Sequence, residues 1–265
     1  MFPSFNLFGK EIGMYAVCAI IGAFVSGLFC LNCAKKRNID VDDTLIVLLF
    51  GALGAMIFSH LLYGITNLGS LFKYLSENGA PTSFKTVINL LTFTFGGSVF
   101  YGGLIGGLIV GTIAVKVKKM NLNAVSDIAA PTIPLFHIFG RIGCFFGGCC
   151  YGIPWEHGIT FINSPNTAAN GVARFPVSLF EAGINLLIFI FLMICLKKEF
   201  FKDKLIYIYL IIYPIARFFI EFLRDDEIRG HVLALSTSQW ISIFLLLFSV
   251  ASLVKIKISE KKNLM

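Results

Sequence analysis

Residues 177–204 read VSLFEAGINLLIFIFLMICLKKEFFKDK: an apolar run from Val177 to Leu196 carrying one charge, Glu181, followed at once by Lys197, Lys198, Lys202 and Lys204. At 1.5 Å per helical residue such a run matches the hydrocarbon core of a bilayer, about 30 Å thick. A chain in lipid must satisfy its own backbone hydrogen bonds, so the run is read as a transmembrane helix and the lysines as its anchor on one side.

Outward from this stretch the same unit recurs. Apolar segments extend over Ile12 to Ala34, Thr44 to Ile65, Val87 to Val115, Val125 to Cys150, Leu205 to Leu223 and Ser236 to Val254. With Val177 to Leu196 they give an all-α, polytopic membrane protein of about seven transmembrane helices. Composition agrees: 57% of the residues are apolar and 14% charged, the mean hydropathy is +0.82, and soluble domains are typically only ~45–50% apolar. No polar stretch is long enough to fold separately, so residues 1–265 are expected to form a single integral membrane domain. Lys10 precedes a run long enough to span, without a clear small-residue cleavage site, and the first helix is expected to remain.

The net charge of +7 is patterned as a topology signal. Fourteen of the 22 basic residues cluster at Lys35, Lys36 and Arg37, at Lys116, Lys118 and Lys119, at Lys197, Lys198, Lys202 and Lys204, and at Lys255, Lys257, Lys261 and Lys262. These clusters fall on alternate loops. Lys10, Lys73, Lys85, Arg174, Arg224 and Arg229 lie on the other side, so the N-terminus is expected outside and the C-terminus in the cytoplasm. Short clusters between apolar runs are not the footprint of a nucleic-acid binder, and no nucleic-acid partner is expected.

The third segment holds Gly96, Gly97, Gly102, Gly103, Gly106 and Gly107. A bent or broken helix is expected there, its small residues serving either close helix packing or a substrate site. Pro131 and Pro134 blur the boundaries of the fourth segment.

Ionisable side chains are costly inside a bilayer and are candidates for function. Arg217 lies seven residues below the Arg224 loop, roughly 10 Å deep, and Arg141 ten residues before Tyr151, roughly 15 Å deep if helical. Glu221, Glu181, Tyr101 and Gln239 come out in the same outer half. Arg217 and Glu221, spaced i, i+4, either neutralise each other or share a site. Arg141 has no acid one turn away. A guanidinium forks onto carboxylate or phosphate, so two such groups facing an outer cavity point to an anionic phospholipid headgroup, with Glu181 as a partner of either. Tyr101 alone reads equally as an interfacial anchor.

Cys30-x-x-Cys33 lacks a second ligand pair, and His60, His137, His157 and His231 show no ligand spacing. Neither a metal nor another cofactor is expected. Cys144, Cys149 and Cys150 fall at the outer end of the fourth segment, where packing, redox, metal or acyl-carrying roles stay open.

Residues 140–152, GRIGCFFGGCCYG, resemble the signature of the prolipoprotein diacylglyceryl transferase family. Four further stretches agree in order: Tyr101-Gly102-Gly103-Leu104-Ile105-Gly106, Arg174-Phe175-Pro176-Val177-Ser178-Leu179-Phe180-Glu181-Ala182, Arg217-Phe218-Phe219-Ile220-Glu221-Phe222-Leu223-Arg224 and Ser236-Thr237-Ser238-Gln239-Trp240. The resemblance implies a multi-pass enzyme of the bacterial inner membrane. It would move the diacylglyceryl group of phosphatidylglycerol onto the lipobox cysteine of a preprolipoprotein signal peptide, with membrane lipid as its medium. By matched position Arg141 and Arg217 would grip the lipid phosphate and Glu221 would orient Arg217. Tyr101 would stand at the proton-transfer position, and Gly102, Gly103, Cys144, Glu181 and Gln239 would lie about the substrate.

The sequence departs from that family at chemically significant places. Tyr101 replaces its usual His, Cys144 its Asn, and Gly147-Gly148-Cys149 its Asn-Gly-Glu. Free tyrosine titrates near about 10, so as a base it would need a neighbouring cation such as Arg141. Two alternatives follow: a non-catalytic lipid-binding or transport protein on the same scaffold, and a related enzyme using Cys144, Cys149 or Cys150 as a thiol centre.

Overall fold

The computed structural model describes residues 1–81, 83–225 and 231–263, apart from the side chains of Leu7, Lys10, His231, Val232 and Asn263. Arg229, counted above with the outer basic residues, lies outside the described residues. Eight α-helices carry the described chain: α1 Met14–Lys36, α2 Val41–Asn78, α3 Phe84–Phe95, α4 Phe100–Val117, α5 Leu122–Gly147, α6 Val177–Lys197, α7 Leu205–Ile220 and α8 Thr237–Asn263. Seven stretches, all except α3, are long and apolar enough to cross a membrane, α7 counting with the short turn Glu221–Leu223 that continues it. The chain is an all-α, multi-pass membrane protein. Three antiparallel pairs of short strands decorate it: β1 Ser4–Leu7 with β2 Lys10–Gly13, β3 Pro154–Thr160 with β4 Ala173–Arg174, and β5 His231–Val232 with β6 Leu235–Ser236.

Two compact units emerge, residues 39–122 and residues 1–38 with 123–265. The smaller one holds α2, α3 and α4. Helix α2 starts where the Asp40 carboxylate accepts the Asp43 N–H at 2.8 Å, capping an end rich in Asp42 and Asp43. It runs well beyond the expected Ile65, to Gly79 at φ +74°, a left-handed stop that glycine adopts without strain. Its 38 residues span roughly 57 Å at the helical rise. The expected third segment is broken: α3 ends at Gly96 and α4 begins at Phe100. The His60 ring approaches the freed carbonyls of Phe95 and Gly97 through Nδ1, at 2.9 and 2.7 Å, which satisfies backbone groups that the break leaves without helical donors. Helices α2 and α4 then meet through glycine. A Cβ on Gly106 would stand 2.5 Å from the Gly54 carbonyl, and one on Gly102 2.5 Å from the Phe58 carbonyl. Small residues on both helices let the backbones approach, which substitutes dispersion contact for a hydrophobic drive that lipid does not supply.

The larger unit holds α1, α5, α6, α7 and α8. Gly22 of α1 seats Phe139 of α5, Gly143 of α5 seats Tyr15 and Cys18, and Phe29 meets Phe189 edge to face with centroids 5.3 Å apart. Polar side chains share its interior with apolar ones, and large apolar side chains also line its outside: Asn185 and Ser249 are fully buried, as are Leu192 and Tyr209, whereas Leu187 and Phe244 are 67% and 66% exposed. Polar groups turn inward and large apolar ones also face outward because lipid surrounds the helices. Within α5, Pro131 and Pro134 each remove a backbone donor, and the Thr132 hydroxyl donates to the Ile128 carbonyl at 2.8 Å.

Candidate functional site

Four of the sequence-selected ionisable residues converge at one end of the larger unit. Arg141 belongs to the last two turns of α5, Glu181 to the second turn of α6, and Arg217 to the last turn of α7, with Glu221 in the turn that continues it. Antiparallel neighbours place these ends side by side. At the centre the Glu181 carboxylate is fully buried. Its Oε1 lies 2.9 Å from an Arg141 nitrogen, accepts the Tyr213 hydroxyl at 3.3 Å, and lies 3.9 Å from Arg217 Nε. Arg217 then turns its Nη2 onto Glu221 at 2.5 Å, and the i, i+4 spacing read from sequence becomes an ion pair.

Three residues that the sequence reading did not select complete the cluster. Arg141 Nε–H donates to His137 Nε2 at 3.1 Å, so that ring nitrogen carries no proton there. Arg224, assigned above to an outer loop, has a side chain only 3% exposed, with Nη1 3.9 Å from Glu181 and Nε 3.9 Å from Glu221. Tyr213 supplies the hydroxyl already noted. A signal was present for His137, which stands at i−4 from Arg141 on the same helical face; Arg224 lies past α7 and its short continuing turn, where helical spacing carries no such signal.

Charge does not balance. Among the described residues, Arg141, Arg217 and Arg224 face Glu181 and Glu221, an excess of one positive charge in a buried setting. Moreover, Arg217 Nη1 is buried and has no hydrogen-bond partner among the described residues. An unmet guanidinium donor in low dielectric is costly, and the arrangement is suited to receive an anion. A phosphate or carboxylate fits the planar fork of Arg best.

The remaining selected residues occupy other roles. Gln239 opens α8: its Oε1 accepts the Ser236 N–H at 2.9 Å, and its Nε2 donates to the Phe218 carbonyl at 3.4 Å, near the end of α7. It thus fastens the α7 and α8 ends that frame Arg217. Gly102 and Gly103 face α2, where an added Cβ would meet Phe58, Leu62 and Ser59, or Ala55; helix packing is the role their contacts give them. Tyr101 is buried in the first turn of α4, in the smaller unit. Cys144 points its sulfur toward Cys149 and Cys150.

The segment after α5 is tied across this end. Ile153 N–H donates to the Leu223 carbonyl at 3.1 Å and Phe175 N–H to the Ile153 carbonyl at 3.0 Å. Arg174 donates to the Gly152 carbonyl at 3.1 Å, pairs with Asp225 at 2.5 Å, and lies 4.6 Å from the centre of the Tyr151 ring. These bonds fix the loop to the turn that bears Glu221 and Arg224.

A family model described as prolipoprotein diacylglyceryl transferase matches residues 4–255. A phosphatidylglycerol–prolipoprotein diacylglyceryl transferase of Clostridium tetani is 32% identical over 248 residues, covering 93% of this chain and 94% of that one. A second such transferase of Clostridium perfringens is 34% identical over 251 residues, 91% and 90% of the two chains. One from Prochlorococcus marinus is 34% identical over 255 residues, 88% and 82%.

Proposed function

The chain belongs to the prolipoprotein diacylglyceryl transferase family, and on that premise we propose that it transfers the diacylglyceryl group of phosphatidylglycerol to the lipobox cysteine thiol of preprolipoproteins. It is a membrane transferase. The acceptor sulfur attacks the glyceryl carbon that bears the phosphate; a sulfur–carbon bond forms, the carbon–oxygen bond to phosphate breaks, and glycerol phosphate leaves as an anion while the thiol proton passes to a base.

The observation that supports the role of the cluster is the unmet Nη1 of Arg217 beside an excess positive charge. Arg141 and Arg217 take the phosphate oxygens of the lipid and stabilise the charge that grows on the leaving phosphate, the kind of fixed electrostatic complement that supplies large catalytic terms. Glu181 holds both guanidiniums by its carboxylate, and Glu221 orients Arg217. Glu181 itself does not grip the headgroup, since anion repels anion. By charge pattern this end of the helices faces outside the cell and the C-terminus faces the cytoplasm, and membership of the family supports the bacterial inner membrane as its location. The signal peptide of the substrate enters from the same lipid. Tyr101 stands in its family's proton-transfer position without the usual imidazole, and a cation beside its hydroxyl is required if it serves as the base.

The experiment is turnover. Membranes containing the protein are expected to add diacylglyceryl mass to the cysteine of a lipobox peptide when phosphatidylglycerol is supplied, and to rescue a transferase-deficient strain. Co-purified lipid with no mass gain on the peptide would instead establish the lipid-binding reading.

A further inference from the structure

Cys144 lies one helical turn beyond Arg141 on α5. The chain leaves the helix at Gly147 and reverses at Gly148, whose φ of +64° is readily adopted by glycine. The Ser164 hydroxyl donates to the Gly148 carbonyl at 2.8 Å, and the Ser178 hydroxyl to the Cys150 carbonyl at 3.0 Å. The reversal carries Cys149 and Cys150 back over Cys144. All three sulfurs lie within 4.8 Å of one another, with Cys149 and Cys150 Sγ 3.8 Å apart. All three cysteines are free of disulfides. Cys150 is buried and Cys144 is 9% exposed, but Cys149 is exposed and lines an open depression with Pro165, Asn166 and Thr167.

We propose that Cys144, Cys149 and Cys150 form a three-thiolate site for a thiophilic cation, zinc(II) or copper(I). Metal–sulfur bonds of about 2.3 Å in a tetrahedral centre space the sulfurs about 3.8 Å apart. Cys149 and Cys150 already show that spacing, and the third sulfur lies within about 1 Å of it. Thiolate is the ligand type that selects copper(I) and zinc. Small apolar packing accounts for Cys144 and Cys150; it does not account for an exposed Cys149 whose sulfur is gathered with the other two. The charge setting agrees: Arg141 stands one helical turn before Cys144, so positive charge lies near the sulfurs. Three thiolates on zinc(II) carry one net negative charge, which this arginine offsets. Each thiol gives its proton to solvent on coordination. Among the described residues no further His, Cys, Asp or Glu joins the group. Zinc(II) there would keep a fourth position for water, whereas copper(I) would take the three sulfurs alone.

The test uses full-length protein in detergent, purified without oxygen and stripped of metal. Titration with cobalt(II) is expected to give sulfur-to-metal charge-transfer and visible ligand-field bands saturating at one equivalent, bleached by added zinc(II). A copper(I) titration against a competing chelator assigns the copper arm. Zinc(II) or copper(I) is also expected to protect all three thiols of the unaltered protein from N-ethylmaleimide, read by peptide mass, which needs no variant to fold. The bands and protection are expected to be lost in C149S/C150S and kept in C18S/C30S/C33S/C195S. Equal metal binding in C149S/C150S, no metal-dependent protection, or a disulfide from Cys144 to Cys149 or Cys150 in the anaerobic protein would each overturn the site. None of these readouts depends on transferase turnover.

Discussion

At one end of the larger unit the Asp127 carboxylate accepts the Asp203 and Leu205 N–H groups at 2.6 and 3.0 Å, Arg37 donates to the Leu196 carbonyl, and Lys204 pairs with Glu260 at 2.8 Å. At the other end Glu181 sits among Arg141, Arg217 and Arg224, and Arg217 retains an unmet buried donor among the described residues. Both ends place charge near apolar segments. The first directs Asp127 and Arg37 at backbone groups that helix termini leave open and matches Lys204 one to one with Glu260, so the pairing closes on itself. The second directs charge at charge, with more guanidinium than carboxylate among the described residues, which suits it to an added anion. A charge that caps backbone is architecture; a charge left in excess at the same cost of burial is a binding site.

That contrast is breakable. The largest effect is expected from Arg141→Ala and Arg217→Ala: loss of about 100- to 1000-fold in lipobox-peptide turnover, the scale of removing an oriented charge donor, with helical circular dichroism unchanged. Arg217→Lys, which keeps the charge and loses the fork, is expected to recover little. Full turnover in both alanine variants would remove the phosphate clamp.

Next comes Glu181→Gln, which strips the shared counter-charge from buried guanidiniums. A drop of about 3–5 kcal/mol in stability is expected, measured by denaturant unfolding in detergent, along with lost activity. At the opposite end Asp127→Ala deletes a cap on the start of α7 and is expected to cost about 1–2 kcal/mol, while turnover at a permissive temperature stays near that of the parent. If Asp127→Ala abolished turnover in folded protein, the division between the two ends would not hold. Smallest is Lys204→Ala. It opens a partly exposed pair and should change stability by less than about 1 kcal/mol, checked by thermal melting at low and high salt.

Legibility from sequence followed the range of the interactions. Span positions depend on local apolar length, and the boundaries of α6, expected at Val177 to Leu196 and found at Val177–Lys197, are nearly those of the sequence. The α3–α4 break was legible at Gly96 and Gly97. The extent of α2 was not: residues 66–78 are polar enough to read as loop, yet they continue the helix to the Gly79 stop. In the site, the Arg217–Glu221 pair was visible because i, i+4 is a helical constant. Arg224 was assigned to a loop because its position beyond the apolar run gives no hint that the chain turns it back toward Glu181.

The sequence by itself determined the membrane class, the spans and the polar residues that cost too much to be idle, because those follow from apolar run length and the penalty for burying charge. Only the tertiary structure decided which charges share a partner and which sulfurs meet. Glu181 serves the arginines of two other helices, and Cys149 and Cys150 fold back on Cys144 through one left-handed glycine. Partner choice between buried charges turns on a few ångströms of separation in low dielectric, and those separations are set by helix packing and loop reversal rather than by spacing along the chain.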